Sequence, residues 1–306
     1  MTSAPTDRVT LNEKVRTRFA PSPNGRLHLG HAFSALYSTG VSHEGGGNFL
    51  LRIEDIDVGR CRGEYVTGIY DDLAWLGLSW EKPVRRQSEH FPTYERALKT
   101  LRSLNVVYPC FATRREIEQT ITESGIGLDR WPRDPDGALL YPGIYKDMDA
   151  EERSTFLWEG RSYAWRLDVE KALNLAKEMN QGPITFVEEE GDPEGQTGEQ
   201  EIRPDLFGDV IIARKDVPTS YHLSVVVDDA LQHITHVTRG RDLFPATYIH
   251  RLLQVLLELP EPRYRHHRLI TDEAGRRLSK SAKDMSLHDL RAAGHTPSDV
   301  KRMIGL

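Results

Sequence analysis

The stretch "VRTRFAPSPNGRLHLGHA", residues 15–32, decides how the first part of this chain folds. The segment "VRTRFAPS" predicts a strand that Pro21 and Pro23 bring to an end. Apolar residues then recur at spacings of three and four over residues 27–41, which predicts a helix. His28 and His31 stand three apart at the start of that helix and therefore share one of its faces.

The alternation of strand and helix continues beyond this stretch. "NFLLRIEDID" (48–57) predicts a second strand, residues 62–77 and 92–104 predict helices, and "TRRE" (113–116) has the capping-box form that starts another. Strands alternating with helices predict an α/β fold with a parallel sheet and crossover helices. Residues 125–162 are expected to be irregular, because several prolines and glycines interrupt them.

The second half of the chain repeats these signals. "SYAWRLDV" and "GDVIIAR" predict strands, "SYHLSVVVDDAL" (220–231) predicts a strand running into a helix, "ITHVTRGRDL" a strand, and "FPATYIHRLLQVLLEL" an apolar helix. Residues 188–201 hold seven acidic residues and three glycines without an apolar residue, so a flexible surface loop is expected there. Residues 272–285 predict a loop, followed by two short helices capped by Ser286 and Thr296.

Composition limits the class of protein. The chain has 306 residues, of which 38% are hydrophobic, and this composition is ordinary for a globular protein. Its net charge of −6 argues against a protein that coats nucleic acid without specificity. Residues 263–306 carry a net +5, which fits a local polyanion contact and equally well a solvated charged surface. We expect a cytoplasmic protein without membrane contact, because no apolar run could span a bilayer and two cysteines give no disulfide framework. We also expect a monomer, although no pattern in the sequence indicates the oligomeric state.

Two motifs carry chemistry. A helix that begins near His28 directs free N–H groups at a phosphate, and Gly30 leaves room for a flat ligand. A histidine pair of this spacing also occurs as surface or core filler, or as a metal pair. The second motif is "GRRLSKSAKD" (275–284), where Lys280 stands in a loop and can follow phosphate charge through a transition state. Taken alone, such a loop is usually just solvated.

Together, "HLGH" (28–31) and "LSKS" (278–281) resemble the two ATP-binding motifs of class I aminoacyl-tRNA synthetases. "LRIEDID", "SYHLSVVVDDAL" and "VTRGRDL" are similar to the glutamyl branch of that family, in the same order along the chain. The resemblance implies a Rossmann-like catalytic domain with an inserted α/β subdomain. It implies ATP with Mg²⁺ and L-glutamate as reactants, with ATP bound by His28, Gly30, His31, Leu278, Ser279, Lys280 and Ser281.

The resemblance also implies the glutamate site. Two carboxylates and one ammonium need two cations and one anion, which Arg18, Arg239 and Glu54 supply. Ala20, Ser22 and Tyr221 complete the pocket, and we assign the side-chain carboxylate to Arg18. His28, His31 and Lys280 would stabilise attack by the α-carboxylate on the α-phosphorus of ATP. Arg18 and Glu54 could instead be a structural ion pair at two strand ends.

The length of the chain distinguishes between two kinds of protein within the glutamyl branch. Twenty-five residues follow Ser281, whereas glutamyl-tRNA synthetases continue into an anticodon-binding region. The chain in this respect resembles the shorter glutamyl-queuosine tRNA(Asp) synthetases, which implies tRNA-independent activation and transfer to the queuosine base in the anticodon stem-loop. The expected division is a polar tail (1–14), the two halves of the catalytic domain (15–105 and 201–262), the insert (106–200) and a lysine-loop and short helical region (263–306), with no anticodon-binding domain.

One family feature is altered. Many relatives hold zinc through a Cys-x-Cys pair, a tyrosine and a last cysteine. Here Cys110 and Tyr141 remain, while Ala112 and Tyr145 replace the other two cysteines. One thiolate and one phenol cannot close a tetrahedral zinc site, so no structural zinc is expected.

Three alternatives stay open. The chain could be a truncated glutamyl-tRNA synthetase that charges a tRNA 3′ end. It could make glutamyl-adenylate and pass glutamate to a small molecule or a carrier. It could be a nucleotide- or RNA-binding protein without catalysis, although the intact "HLGH" and "LSKS" motifs argue against that.

Overall fold

A computed structural model describes residues 14–271 and 285–306. Within them, the strands are β1 (Arg16–Phe19), β2 (Asn48–Ile53), β3 (Glu81–Arg86), β4 (Val107–Cys110), β5 (Ala164–Leu167), β6 (Thr185–Glu188), β7 (Gly198–Glu201), β8 (Ile211–Arg214), β9 (His236–Gly240) and β10 (Arg263–His267). The helices are α1 (Leu29–Glu44), α2 (Gly63–Trp75), α3 (Phe91–Ser103), α4 (Arg114–Glu123), α5 (Ala150–Trp158), α6 (Val169–Asn180), α7 (Tyr221–Leu231), α8 (Ala246–Leu256), α9 (Leu287–Ala292) and α10 (Pro297–Met303).

Two sheets meet edge to edge at the centre of the molecule. The first has the order β1-β2-β3 and is parallel, and in the second, β7-β6-β10-β9, strand β10 runs parallel to both of its neighbours. Strand β9 follows β1 closely, because the Thr235 N–H just before β9 donates to the Arg16 carbonyl at 3.0 Å. The combined strand order is therefore β3-β2-β1-β9-β10-β6-β7. Strands from the first part of the chain lie on one side of the boundary between β1 and β9, and strands from the later part lie on the other. In open α/β sheets, ligands bind at such a switch point.

The first sheet is buried on both faces, which explains the apolar run in β2. Leu50 packs into the cluster formed with α3, α7 and α8, while Leu51 and Ile53 pack into the cluster formed with α1, α2 and the two C-terminal helices. A strand covered on both sides reads as a continuous apolar run rather than as an alternation. The predicted α/β class with a parallel sheet is confirmed.

A third sheet joins two strands of the predicted insert, β4 and β5, to β8, which lies beyond residue 200. It is antiparallel with the order β4-β5-β8. The helix predicted from "TRRE" is confirmed as α4, where Thr113 and Glu116 form a capping box, and Ser286 and Thr296 cap α9 and α10 as predicted. Among the described residues, no helix has the length and apolarity that crossing a bilayer requires.

Three predictions from sequence are wrong in part. Residues 220–231 form a helix, α7, and not a strand that becomes one, because Leu223 and Val226 bury one face in the core and this packing overrides the strand preference of the valines. Residues 125–162 contain α5, capped by the Asp149 side chain. The acidic segment 188–201 is a hairpin, since β6 pairs antiparallel with β7 and Glu188 and Asp192 are buried.

Asp72 makes the fold sensitive to pH. It is buried on α2, and burial raises its pKa from an ordinary value of 3.8 to about 6. The folded protein then holds this proton more tightly than the unfolded chain, so the free energy of unfolding falls as the pH rises from about 4 to about 6. Asp72→Asn should therefore raise that free energy by roughly 1–3 kcal/mol at pH 7.5 and by much less at pH 4.

Thermal unfolding at the two pH values measures this difference. The matched control is Glu178→Gln, because Glu178 is an exposed carboxylate on another helix, α6, and does not act on Asp72. A gain of equal size at pH 4 and pH 7.5 would show that the Asp72 carboxylate is not the cause.

Candidate active site

A cavity of about 660 Å³ opens at the carboxyl ends of β1 and β9, where the sheet order reverses. Every predicted site residue that the structure describes lines it: Arg18, Ala20, Ser22, His28, Gly30, His31, Glu54, Tyr221 and Arg239. Leu278, Ser279, Lys280 and Ser281 lie outside the described residues. The cavity also takes in residues that sequence reasoning did not select, among them Asn24, Asp242 and His267.

The two histidines cap helix α1 with their own side chains. The Nδ1 atom of His28 accepts from the Gly30 N–H at 3.1 Å, and Nδ1 of His31 accepts from the His28 N–H at 3.2 Å. An Nδ1 that accepts cannot carry the ring proton in a neutral imidazole, so each Nε2 carries it and is a donor. The rings lie 3.8 Å apart between centroids. The capping arrangement therefore fixes two N–H donors at a helix end that already favours anions.

Arg18 forms an ion pair with a carboxylate of the protein, that of Asp229. Its Nε and Nη2 atoms donate to the two oxygens of Asp229 at 2.9 and 3.2 Å, and Nη1 donates to the Thr238 carbonyl at 3.2 Å. The alternative that Arg18 pairs with Glu54 is not what the geometry shows, because the partner is Asp229 on α7.

Glu54 lies beside a second, fully buried arginine. Arg52 donates to Asp229 at 2.8 Å and to Glu54 at 3.3 Å, so one cation bridges both carboxylates. Burial raises the pKa of Glu54, although the charges of Arg52 and Arg18 oppose that rise. A buried carboxylate with a raised pKa is stabilised by a further cation, which makes Glu54 a suitable partner for an ammonium group.

Arg239 contrasts with Arg18, because all of its recorded partners are neutral. Its guanidinium donates to Nε2 of His266 at 3.1 Å, to Oγ1 of Thr247 at 2.5 Å and to Oη of Tyr221 at 3.4 Å. It also lies 3.0 Å from Nδ1 of His250. Within residues 14–271 and 285–306, no carboxylate forms an ion pair with it, although only 5% of the residue is exposed. A buried cation without a counter-ion is a ready partner for a substrate carboxylate.

The buried carboxylate of Glu188 holds the His266 ring, which in turn positions Arg239. The Oε2 atom of Glu188 lies 2.6 Å from Nδ1 of His266, and Oε1 accepts from the His266 backbone N–H at 3.0 Å. Burial acts to raise the pKa of Glu188, but its hydrogen bonds with His266 outweigh that effect and the pKa is lowered. Burial lowers the pKa of His266 to about 4. The neutral ring donates from Nδ1 to Glu188, which leaves Nε2 as the acceptor for Arg239.

Sequence reasoning missed these supporting residues for identifiable reasons. Asp229 follows three valines and Asp228, which binds Arg85, Gln87 and Tyr94, and that acidic pair was visible in the sequence. Glu188 is hidden inside an acidic run, and its link to His266 spans 78 positions in the chain.

The two retained positions of the family zinc site, Cys110 and Tyr141, contact each other and an arginine. The Sγ atom of Cys110 lies 3.3 Å from Oη of Tyr141 and 3.3 Å from Nε of Arg166. The described residues contain no cluster of three metal-ligating side chains. A guanidinium against the sulfur opposes binding of a divalent cation at this position.

We therefore expect purified, chelator-washed protein to contain less than stoichiometric zinc, as metal analysis of the intact chain would measure. A matched variant, Ala112→Cys with Tyr145→Cys, restores the two missing thiols and should gain zinc, which controls for the sensitivity of the assay. Zinc at one equivalent in the unaltered protein would contradict this expectation.

The fold, the cavity at the sheet reversal and the histidine-capped helix together define a catalytic domain of the class I aminoacyl-tRNA synthetase type. The model of the family "tRNA synthetases class I (E and Q), catalytic domain" matches residues 14–306, and the chain belongs to this family. It is accordingly a ligase of that class.

Individual relatives differ in how much of their length the chain spans. It is 46% identical to a protein named glutamyl-Q tRNA(Asp) synthetase of Rhodobacter capsulatus, over 95% of this chain and 99% of the relative. It is 36% identical to glutamate–tRNA ligase of Aquifex aeolicus, over 93% of this chain but 55% of that protein. A solved structure of glutamate-tRNA synthetase from Elizabethkingia anophelis superposes with a TM-score of 0.70 at 27% identity, covering 92% of this chain and 54% of that one.

Proposed function

We propose that the protein activates L-glutamate with ATP without the help of tRNA and transfers the glutamyl group to the queuosine base in the anticodon of tRNA(Asp). The observation that carries this proposal is the 46% identity to the Rhodobacter glutamyl-Q tRNA(Asp) synthetase along 99% of that protein. Three glutamate–tRNA ligases, of Alkalilimnicola ehrlichii, Prochlorococcus marinus and Aquifex aeolicus, are 33–36% identical over 55–58% of their length. A second glutamyl-Q tRNA(Asp) synthetase, of Nocardia farcinica, is 35% identical over 82% of its length, so coverage supports the proposal more consistently than identity does.

Glutamate would bind across Glu54 and Arg239. The ammonium would add a cation beside Glu54, whose buried carboxylate carries a raised pKa. The side-chain carboxylate would accept hydrogen bonds from Arg239, the arginine without a recorded carboxylate partner, rather than from Arg18, which Asp229 already neutralises. This reverses the assignment made from sequence. A rigidly held arginine suits the carboxylate that stays in place while the other reacts.

ATP would lie over the start of α1. An oxygen of the glutamate α-carboxylate attacks the α-phosphorus, the bond from phosphorus to the bridging oxygen breaks, and pyrophosphate leaves with that oxygen. The Nε2 donors of His28 and His31 would stabilise the charge that develops on the phosphate oxygens. Mg²⁺ would neutralise part of the phosphate charge, held chiefly by ATP itself, since the described residues offer no three-ligand cluster. Lys280 keeps the role proposed from sequence, which is to follow the phosphate charge through the transition state.

One assay separates this proposal from its rivals, namely glutamate-dependent exchange of pyrophosphate into ATP, with and without tRNA. Exchange without tRNA is the expected result. Exchange only in the presence of tRNA would favour a glutamyl-tRNA synthetase that charges a 3′ end. Absence of exchange under both conditions would favour a binding protein.

The acceptor needs a separate test, because exchange alone would also be catalysed by an enzyme that passes glutamate to a small molecule. Incubation of the enzyme with ATP, labelled glutamate and total tRNA should place the label on RNA. Label that appears only on a small molecule or a protein would overturn the proposed transfer step.

A further inference from the structure

A second groove, which we call the basic groove, lies outside the active-site cavity, between α3, β5 and β8. It has a volume of about 640 Å³, and its wall carries Lys99, Arg102, Arg214, Lys215, Tyr163 and Trp165. One carboxylate, that of Glu95, also lines it. Four cations against one anion give the groove a net positive charge.

The cations of the basic groove are not neutralised within the described part of the protein. No ion pair there joins Lys99, Arg102, Arg214 or Lys215 to a carboxylate; Lys215 donates instead to the Gly160 carbonyl at 2.9 Å. Clustered like charges repel one another, and a polyanion removes that repulsion.

The basic C-terminal stretch, which sequence analysis considered as a polyanion contact, is partly neutralised. Arg263 and Arg265 both pair with Glu189, and Arg302 pairs with Asp299 at 2.6 Å. Arginines that already have carboxylate partners offer less to a phosphate backbone. The basic groove instead gathers four cations without such partners among the described residues in one concave site, which favours it for contact with RNA.

Aromatic surface accompanies the charge. The Arg102 guanidinium lies over the Trp165 ring, 4.5 Å from its centroid, and the Tyr163 ring meets Trp165 edge-on at 5.6 Å. Proteins that bind single-stranded nucleic acid combine cations for the backbone with aromatic and guanidinium planes on which unpaired bases stack. An acidic protein partner would use the charges but would have no need of the stacking surface.

One residue links the basic groove to a cleft beside the active site. Arg214 lines both the groove and that cleft, which has a volume of about 500 Å³. The cleft shares Ser22, Asn24, Glu54 and Tyr221 with the active-site cavity. A strand held in the basic groove would therefore lie on the side of the molecule from which the cleft leads toward the glutamate end of the active site.

On these grounds we infer that the basic groove docks an unpaired loop of the RNA substrate, with phosphates on Lys99, Arg102, Arg214 and Lys215 and bases against Tyr163 and Trp165. This inference rests on the proposed function for the identity of the RNA. The docking surface itself requires only that the substrate offers a single-stranded loop.

The test compares two double variants of the full chain. Lys99→Glu with Arg102→Glu reverses two charges in the basic groove, and Lys171→Glu with Lys177→Glu makes the same change on the exposed face of α6. Filter binding would use tRNA(Asp) as the probe at several salt concentrations. For the groove variant we expect at least a tenfold loss of affinity and a slope of log Kd against log salt that is smaller by about 1.4, since each contact to a single strand contributes about 0.7.

Pyrophosphate exchange controls for folding, because neither Lys99 nor Arg102 lines the active-site cavity. Exchange should stay at the level of the unaltered enzyme while affinity for tRNA falls in the groove variant alone. Equal losses in both double variants, or no loss in either, would overturn the docking surface. Equal transfer of glutamate to tRNA(Asp) with and without queuosine would overturn the proposed function but leave the docking surface standing, so the two failures are distinguishable.

Discussion

Replacing Arg239 with lysine should raise the KM for glutamate at least a hundredfold in pyrophosphate exchange and leave the KM for ATP within about twofold. The reason is geometric, because the guanidinium donates to His266 and Thr247 and still has an N–H group for a substrate carboxylate, whereas the lysine ammonium keeps the charge but cannot make this set of contacts. A hydrogen bond to a charged group contributes roughly 1.5–3 kcal/mol, and a displaced ammonium would also lose part of the attraction between the two charges. Selectivity for glutamate over glutamine should fall in parallel.

Arg251→Lys is the matched control. Arg251 is as well buried as Arg239, with 2% exposed, but it pairs with Glu261 at 2.9 Å and does not line the cavity. Both variants should lose thermal stability, and only Arg239→Lys should change the KM for glutamate. A correctly folded Arg239→Lys enzyme with an unchanged KM would show that Arg239 does not bind the substrate carboxylate.

The second large effect concerns His28 and His31. Replacing either histidine with asparagine should lower kcat for pyrophosphate exchange about a hundredfold, which is the usual cost of losing one fixed donor to developing charge. Asparagine is also among the best N-cap residues, so His28→Asn should keep the hydrogen bond from the Gly30 N–H and with it the stability of α1.

Two further variants separate catalysis from capping. His28→Ala removes the cap as well as the donor and should cost about 1 kcal/mol of unfolding free energy in addition to kcat. His43→Asn changes an exposed histidine in the last turn of the same helix and should alter neither quantity. Asparagine variants that turn over at the normal rate would remove both histidines from the mechanism.

Local signals in the sequence explain most of what could be predicted of the fold. These signals affect only the few residues around them. They are the prolines after β1, the capping residues Thr113, Ser286 and Thr296, and the apolar run of β2. Nine of the residues that line the cavity were found because they belong to motifs of the family that the sequence resembles, including Tyr221, which lies on an element whose type was predicted wrongly.

The remainder depends on contacts between distant parts of the chain. Arg18 and Asp229 are 211 positions apart, and no local pattern indicates that they pair. Helix α7 is valine-rich, and it is helical because that conformation buries Leu223 and Val226 in the core. The contact between His266 and Glu188 helps to fix the acidic hairpin. The sequence therefore indicated residues that line the cavity but not which of the two arginines lacks a carboxylate partner.

Transfer of labelled glutamate to tRNA(Asp) tests the central proposal most directly, using tRNA with and without queuosine and tRNA whose 3′-terminal adenosine has been removed. The account predicts labelling of queuosine-containing tRNA(Asp), unchanged by loss of the terminal adenosine, and none of the tRNA that lacks queuosine. Equal labelling with and without queuosine, or labelling that disappears with the terminal adenosine, would contradict it.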